Sequence, residues 1–296
     1  MMKVTMLGTS GATPTKHRGL PAMAITREGD VFLFDCGEGT QMRMMEHGVS
    51  ISKIKAIFLT HIHGDHVIGV AGLIRTLALN ARKDKLEIFI PQGFEKAVKN
   101  LIRFDKAMIN YEIVVKGVKG GKAYEGKGFS VSSFKLDHSV LDYGYVFAEN
   151  EKRNFITSKV NKLGIKGLMF KELEAKGSIS LKGKRIRLED VSTVQKGKKV
   201  VYANDTRPCK TTIAASKDAD LLIHEATFGA KLKELAIERK HSTTIEAAEI
   251  AKKANVKQLI ITHISARYRN AKELEDEAKS VFPNSSIAHD GYTINI

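Results

Sequence analysis

Four residues able to ligate a metal fall within six positions in His61-Ile62-His63-Gly64-Asp65-His66, directly after the apolar run Ile57-Phe58-Leu59-Thr60. A strand ending in such a cluster sends imidazoles and a carboxylate into one small volume. Neutral imidazole nitrogen and carboxylate oxygen are the ligands a borderline metal such as zinc takes in a hydrolytic site. With only two cysteines, Cys36 and Cys209, the chain has no thiolate cage for a purely structural zinc. Two cysteines also imply no disulfide framework and fit a reducing compartment.

Three further ligands stand at the ends of predicted strands: His138 after Phe129 to Leu136, Asp205 after Val200 to Ala203, and His263 after Leu259 to Thr262. Sites in open α/β sheets gather at the carboxyl ends of the strands. The seven residues suffice for two ions. His61, His63 and His138 would hold one, Asp65, His66 and His263 the other, and Asp205 would bridge them. A bridging carboxylate offsets charge between two dications, which neutral imidazoles cannot do. Two metals about 3.5–4 Å apart can polarise a phosphoryl oxygen and activate water. The same nitrogen and oxygen set accepts manganese or another divalent metal.

The elements that must position these residues alternate along the chain. Lys3 to Leu7, Met23 to Thr26, Val31 to Asp35, Ala56 to Thr60, Leu86 to Ile90 and Leu221 to Ile223 read as further strands. Tyr111 to Val115, Ala123 to Tyr124 and Phe129 to Leu136 read as a β-meander. Helices are expected over Gly69 to Asn80, Gly93 to Phe104 and Thr243 to Ala254, the last capped by Ser242 or Thr243.

At 43% hydrophobic and 27% charged residues, the composition is that of an ordinary soluble globular protein. No apolar run approaches the ~18 residues of a membrane span, and the apolar part of the N-terminus is too short for a signal peptide. A cytoplasmic location and no membrane partner are expected. The net charge of +15 and pI near 9.6 point to a polyanionic partner, since Lys and Arg neutralise phosphates and release counterions. Residues 151–187 carry eleven Lys/Arg against three acids, +8 of that total. They read as an inserted arm with weak strand signal, not a separate domain, with Phe155, Met169 and Phe170 packing its base.

These motifs resemble the metallo-β-lactamase superfamily and, more narrowly, the ribonuclease Z family, over essentially the whole chain. Phe34-Asp35-Cys36-Gly37-Glu38-Gly39-Thr40-Gln41 is similar to motif I, the hexad 61–66 to motif II, His138 to motif III, Asn204-Asp205-Thr206-Arg207-Pro208 to motif IV and Thr262-His263-Ile264-Ser265-Ala266-Arg267-Tyr268 to motif V. Leu7-Gly8-Thr9-Ser10-Gly11 is similar to the first turn. His224-Glu225-Ala226-Thr227 and His241-Ser242-Thr243 match the HEAT and HST motifs, and Pro14-Thr15-Lys16-His17-Arg18-Gly19 is similar to the PxKxRN loop, with Gly19 where Asn is usual.

The resemblance implies an α/β fold, a four-layer αββα sandwich, as one domain over 1–296 that includes a tRNA-binding exosite arm at about 151–187. It implies two zinc ions per subunit, a homodimer, and endonucleolytic cleavage of precursor tRNA on the 3′ side of the acceptor stem, leaving a 3′-hydroxyl on the tRNA and a 5′-phosphate on the trailer. It gives Asp65 the general-base role besides metal ligation. His241 is the candidate general acid, with Glu225 fixing its tautomer and raising its pKa. Asp35 is expected to orient a ligand histidine from behind. Lys16, Arg18 and Arg267 are candidate substrate contacts, because guanidinium and ammonium groups take phosphate. The competing reading is a small-molecule phosphodiesterase or arylsulfatase of the same fold, which explains the metals but not the basic arm.

Overall fold

A computed structural model of the chain describes residues 2–103, 109–181 and 183–296. Phe104, the expected end of one helix, and Lys182 of the arm lie outside them, as does Met1. The chain forms two compact units, residues 1–147 with 199–296, and Ala148–Lys198.

The larger unit is built on two seven-stranded sheets. Its strands are β1 (Met2–Gly8), β2 (Ala22–Arg27), β3 (Asp30–Phe34), β4 (Ile54–Phe58), β5 (Leu86–Pro91), β6 (Ile113–Val118), β7 (Gly121–Gly126), β8 (Phe129–Lys135), β9 (Tyr143–Glu149), β10 (Lys199–Ala203), β11 (Leu221–Glu225), β12 (Leu259–Thr262), β13 (Ser285–Ile287) and β14 (Thr293–Asn295). The first sheet has the order β14-β1-β2-β3-β4-β5-β6, the second β13-β12-β11-β10-β9-β8-β7. Strands β3 to β6 run parallel, as do β10 to β13, with helices in the crossovers.

Strand side chains alternate between faces, so a strand covered on both sides must be apolar throughout. In β3, Phe32 and Phe34 enter a core shared with Phe129, Tyr145, Phe147 and Tyr202 of the second sheet, whereas Val31 and Leu33 pack with Leu73, Ile74 and Leu77 of the helix Gly69–Leu79. A third apolar cluster joins Val201, Leu222 and Ile261 to Ala247, Ala248 and Ala251 of the helix Thr244–Lys253 and to Leu274 and Ala278 of Lys272–Val281. Three clusters between four layers make the expected αββα sandwich. Fully buried Phe58 stacks between Phe34 and Phe89, with ring centroids 5.0 and 4.9 Å away. Phe58→Ala should cost about 3–5 kcal/mol of stability, read as a lower midpoint in urea unfolding.

The expected meander is corrected. β6 pairs with β5 in the first sheet, while β7 and β8 are an antiparallel pair in the second. Between them Gly120 and Gly121, at φ 97° and 79°, turn the chain from one sheet to the other. Alternating segments adjacent in sequence do not reveal which sheet each joins. Thr243 is the N-cap of its helix, in a capping box with Glu246.

The smaller unit is wider than the 151–187 read from charge. It has two short antiparallel pairs, Lys152–Phe155 with Ser192–Gln195 and Ser178–Leu181 with Lys184–Arg187, and three helices, Thr157–Leu163, Leu168–Lys176 and Leu188–Val191. Strands of four residues leave little periodicity to read, and two of them, Lys152–Phe155 and Lys184–Arg187, are half or more charged. Val160, Ile165, Leu173, Ile179, Ile186 and Val191 form its own small core, against which Phe155, Met169 and Phe170 pack as expected.

Candidate metal centre

The parallel pairings put the carboxyl ends of neighbouring strands on a common rim. Phe34 lies opposite Phe58, Ala203 opposite His224, and Glu225 opposite Thr262. The residues just beyond those ends are Asp35, His61, Asp205 and His263. Three of them leave the strand through a left-handed backbone: Asp35 at φ 55°, Asp205 at 46° and His263 at 59°. Asp and His tolerate this region better than most residues, at a cost of order 1–3 kcal/mol each. Gly11 lies behind the site, where a Cβ would stand 2.6 Å from His263 Nδ1. The turn after β1 therefore makes room for an imidazole; the sequence alone supported nothing more than a turn.

The seven predicted ligands converge. His61, His63, His138 and Asp205 offer ligand atoms within 4.8 Å of one another, and so do Asp65, His66 and His263. Asp205 faces both sets with different oxygens. Its Oδ2 lies 3.8 Å from Nε2 of both His61 and His138. Its Oδ1 lies 2.9 Å from His263 Nε2 and 3.5 Å from His66 Nε2. Asp65 Oδ2 completes the second set at 3.5 and 3.7 Å from the same two nitrogens. His61, His66, His263 and Asp205 are buried, yet Nε2 of each imidazole and Oδ1 of Asp205 lack a well-directed hydrogen bond. Buried polar atoms are normally satisfied. Donor atoms that converge without bonding one another fit divalent cations between them.

The electrostatics point the same way. Burial opposes ionisation of Asp65 and Asp205, but the surrounding imidazoles outweigh it and hold both below the ordinary carboxylate range. Burial likewise disfavours a charged His263, and Asp205 overcomes this, pushing its pKa up to about 10; a bound cation would take over that charge and displace the Nε2 proton. Two ionised carboxylates in one buried pocket demand positive charge.

Behind the ligands stands a layer of polar partners. Asp35 Oδ2 lies 2.8 Å from His66 Nδ1, and Asp35 also accepts from Thr60 and from Tyr202 at 3.0 Å. The expected orienting role of Asp35 thus has its geometry. His138 Nδ1 lies 3.1 Å from the Lys240 carbonyl, and His263 Nδ1 is 2.8 Å from Thr227 Oγ1. Asp142, fully buried, puts Oδ2 3.2 Å from His61 Nδ1. Asp142 and Thr227 escaped the sequence reading of the metal site. Asp142 belongs to no motif, and Thr227 showed only as the last letter of one.

Glu225 ends β11 fully buried, and its Oε1 lies 2.9 Å from His241 Nδ1. Burial alone would suppress the charged imidazole, but the Glu225 carboxylate outweighs it and holds the His241 pKa above its ordinary value. With Nδ1 committed to Glu225, Nε2 is the titrating atom left for substrate. Arg207 fixes the approach to His241, donating to its carbonyl oxygen at 2.5 Å and forking onto Glu246. His224 turns away from the ligands, with Nδ1 2.6 Å from the Glu225 carbonyl.

A cleft of about 430 Å³ lies over these groups, and His63, Asp65, His138, His241, Arg239 and Arg267 are on its walls. Arg267 spans the face of Phe228, 5.0 Å from its centroid. Arg239 was not singled out from sequence, where it is one basic residue among many. Lys16 and Arg18 do not line this cleft. Lys16 is exposed, and the Arg18 guanidinium turns inward, donating to Thr9 Oγ1 at 2.7 Å and to the Ala288 carbonyl at 2.5 Å. Arg18 is therefore an anchor of its own loop in this structure.

Among known proteins, a family described as Anti-Pycsar protein Apyc1 matches residues 2–163. Ribonuclease Z of Methanothermobacter thermautotrophicus is 39% identical over 100% of this chain and 97% of its own length. Ribonuclease Z of Archaeoglobus fulgidus is 42% identical over 100% and 98%. The crystal structure of human tRNase Z, short form, superposes with a TM-score of 0.74 at 26% identity, covering 99% of each chain. YhfI from Bacillus subtilis, a metallo-β-lactamase fold protein, superposes at 0.72 with 21% identity over 99% and 98%. Full-length identity at this level, on the same fold, shows that the chain belongs to the ribonuclease Z family of metallo-β-lactamase-fold proteins.

Proposed function

We propose that the protein is a zinc-dependent endoribonuclease that cuts precursor tRNA after the acceptor stem, leaving a 3′-hydroxyl on the tRNA and a 5′-phosphate on the trailer. The observation that carries this reading is the Glu225–His241 pair, set beside a carboxylate whose two oxygens face two separate ligand sets. The name ribonuclease Z on relatives matched over nearly their full length, and the name tRNase Z on the human structure, support the substrate class.

His61, His63 and His138 would hold one zinc, Asp65, His66 and His263 the other, and Asp205 would bridge them. Such a pair supplies charge to polarise the phosphoryl group and to activate water. The chain's own residues do the rest. Asp65, whose Oδ2 is steadied by the backbone N–H of Ala12 at 3.1 Å, is the residue assigned to accept the proton at the attack side. His241 donates from Nε2 to the departing 3′-oxygen, and Glu225 holds its ring and stabilises its charged form. Arg267 and Arg239 offer guanidinium groups to flanking phosphates. The exposed Lys16 stays a candidate contact for the RNA end, and Arg18 serves by holding that loop. RNA is held through shape and phosphates, not through base edges.

The basic smaller unit is the surface assigned to the body of the tRNA. Glu149 N–H donates to the Lys198 carbonyl at 2.8 Å, so the ends of this unit meet and a short Gly-Ser linker can replace residues 150–197. This deletion should raise KM for precursor tRNA at least ~10-fold at moderate salt while leaving hydrolysis of bis(p-nitrophenyl) phosphate unchanged. Parallel loss on both substrates would remove the tRNA-binding role, and efficient turnover of the small ester with no cleavage of end-mapped precursor would favour the small-molecule reading. A homodimer accords with the family and with Met42 and Met45, exposed side by side on the helix Thr40–Glu46. No helix among the described residues is long and apolar enough to cross a membrane.

A further inference from the structure

Two threonines stand in equivalent relations to the two ligand sets. A hydroxyl carries one proton and two lone pairs, and an ionised carboxylate only accepts. Thr227 Oγ1 lies 2.9 Å from Glu225 Oε2 and 2.8 Å from His263 Nδ1. Glu225 already accepts backbone N–H groups from Thr206, Ser242 and Thr227, so it takes the hydroxyl proton as a further donor. The hydroxyl is then left only with lone pairs for His263, whose Nδ1 must carry hydrogen. Nε2 becomes the free donor atom, and it is the one that faces Asp205 Oδ1 and Asp65 Oδ2.

Thr60 repeats the device. Its hydroxyl donates to Asp35, at 2.9 and 3.1 Å from the two oxygens, and lies 3.0 Å from His61 Nδ1. Asp35 also accepts from the Thr60 amide and the Tyr202 hydroxyl. The same exclusion puts hydrogen on His61 Nδ1 and turns its Nε2 lone pair toward Asp205 Oδ2. Asp142 Oδ2 lies 3.2 Å from the same Nδ1 without a directed hydrogen bond, and burial pushes its pKa well above the carboxylate range, so the Nδ1 proton of His61 is assigned by Thr60.

We propose that Thr60 and Thr227 are positioning residues: each spends its only proton on a buried carboxylate and thereby holds a metal-facing imidazole, His61 or His263, in the Nδ1–H form with Nε2 free for a divalent cation. The inference rests on the metal reading of the cluster. It links two functions through one carboxylate, because Glu225 orients both His241 directly and His263 through Thr227.

The test uses the zinc-loaded full-length protein. Long-range ¹H–¹⁵N spectra of the parent should show hydrogen on Nδ1 and none on Nε2 for both histidines. Thr227→Val keeps the shape without the hydroxyl and should weaken zinc binding about 10- to 100-fold in chelator competition, and Thr60→Val should weaken it likewise. Thr227→Ser should return affinity to within about threefold of the parent. Hydrogen on Nε2 of His263 in the parent overturns the proposal even if the valine variant does not fold. So does a valine variant that binds zinc like the parent, or a serine variant no better than valine. A parent that takes up no zinc overturns the metal reading and this inference together.

Discussion

Asp205→Asn should yield a folded protein that retains at most one of the two proposed zinc ions and cleaves precursor tRNA about 10³-fold more slowly, close to 4 kcal/mol of transition-state stabilisation. One oxygen of Asp205 faces His61 and His138, the other His66 and His263. An amide keeps one acceptor and replaces the other with a donor, so whichever way it turns, one ligand set meets N–H in place of oxygen. It also removes the negative charge that offsets two dications. The backbone is not the cause of the loss, because Asn, like Asp, tolerates the left-handed φ of 46° at this position. Metal analysis after desalting and steady-state cleavage decide the matter. Two retained zinc ions with parent-like turnover would exclude Asp205 as the bridge.

His241→Ala should leave zinc content intact and lower kcat for precursor tRNA by about 10²–10⁴-fold with little change in KM. His241 touches neither ligand set through a hydrogen bond; its bonded ring partner is Glu225. Its proposed task is to protonate an alkoxide that leaves poorly by itself. p-Nitrophenolate needs no such help, so turnover of bis(p-nitrophenyl) phosphate should fall far less. Glu225→Gln should act through the same histidine, and the double variant should be little worse than His241→Ala alone. Equal losses on both esters would make His241 a binding or structural group. A fall in zinc content would move it to the ligand set.

The sequence was most informative where ligand types crowd at strand ends. That His61, His63, Asp65, His66, His138, Asp205 and His263 converge was legible, because side chains of metal-binding type rarely gather at the ends of apolar runs without a shared site. The sandwich came from the family resemblance, while runs such as Val31 to Phe34, apolar on both faces, read by themselves only as strands. What stayed hidden depends on approach through space. Asp142 reaches His61 from a loop 81 positions away with no motif around it. Arg18 reads as a free cation until the fold places the Ala288 carbonyl against it. The role of Gly11 is set by an imidazole 252 positions further on. The small unit hid its core because six apolar residues spaced among lysines carry little periodicity.

The left-handed turns at Asp35, Asp205 and His263 set two demands in opposition. At each of these positions the backbone is held in a costly conformation and a polar side chain is kept from water, both at the expense of folding. Relief of either would make the chain more robust and the centre less complete. Selection for heat tolerance alone would therefore press on the codons that selection for catalysis holds fast, and a hardier descendant would have to draw its stability from the layers away from the rim.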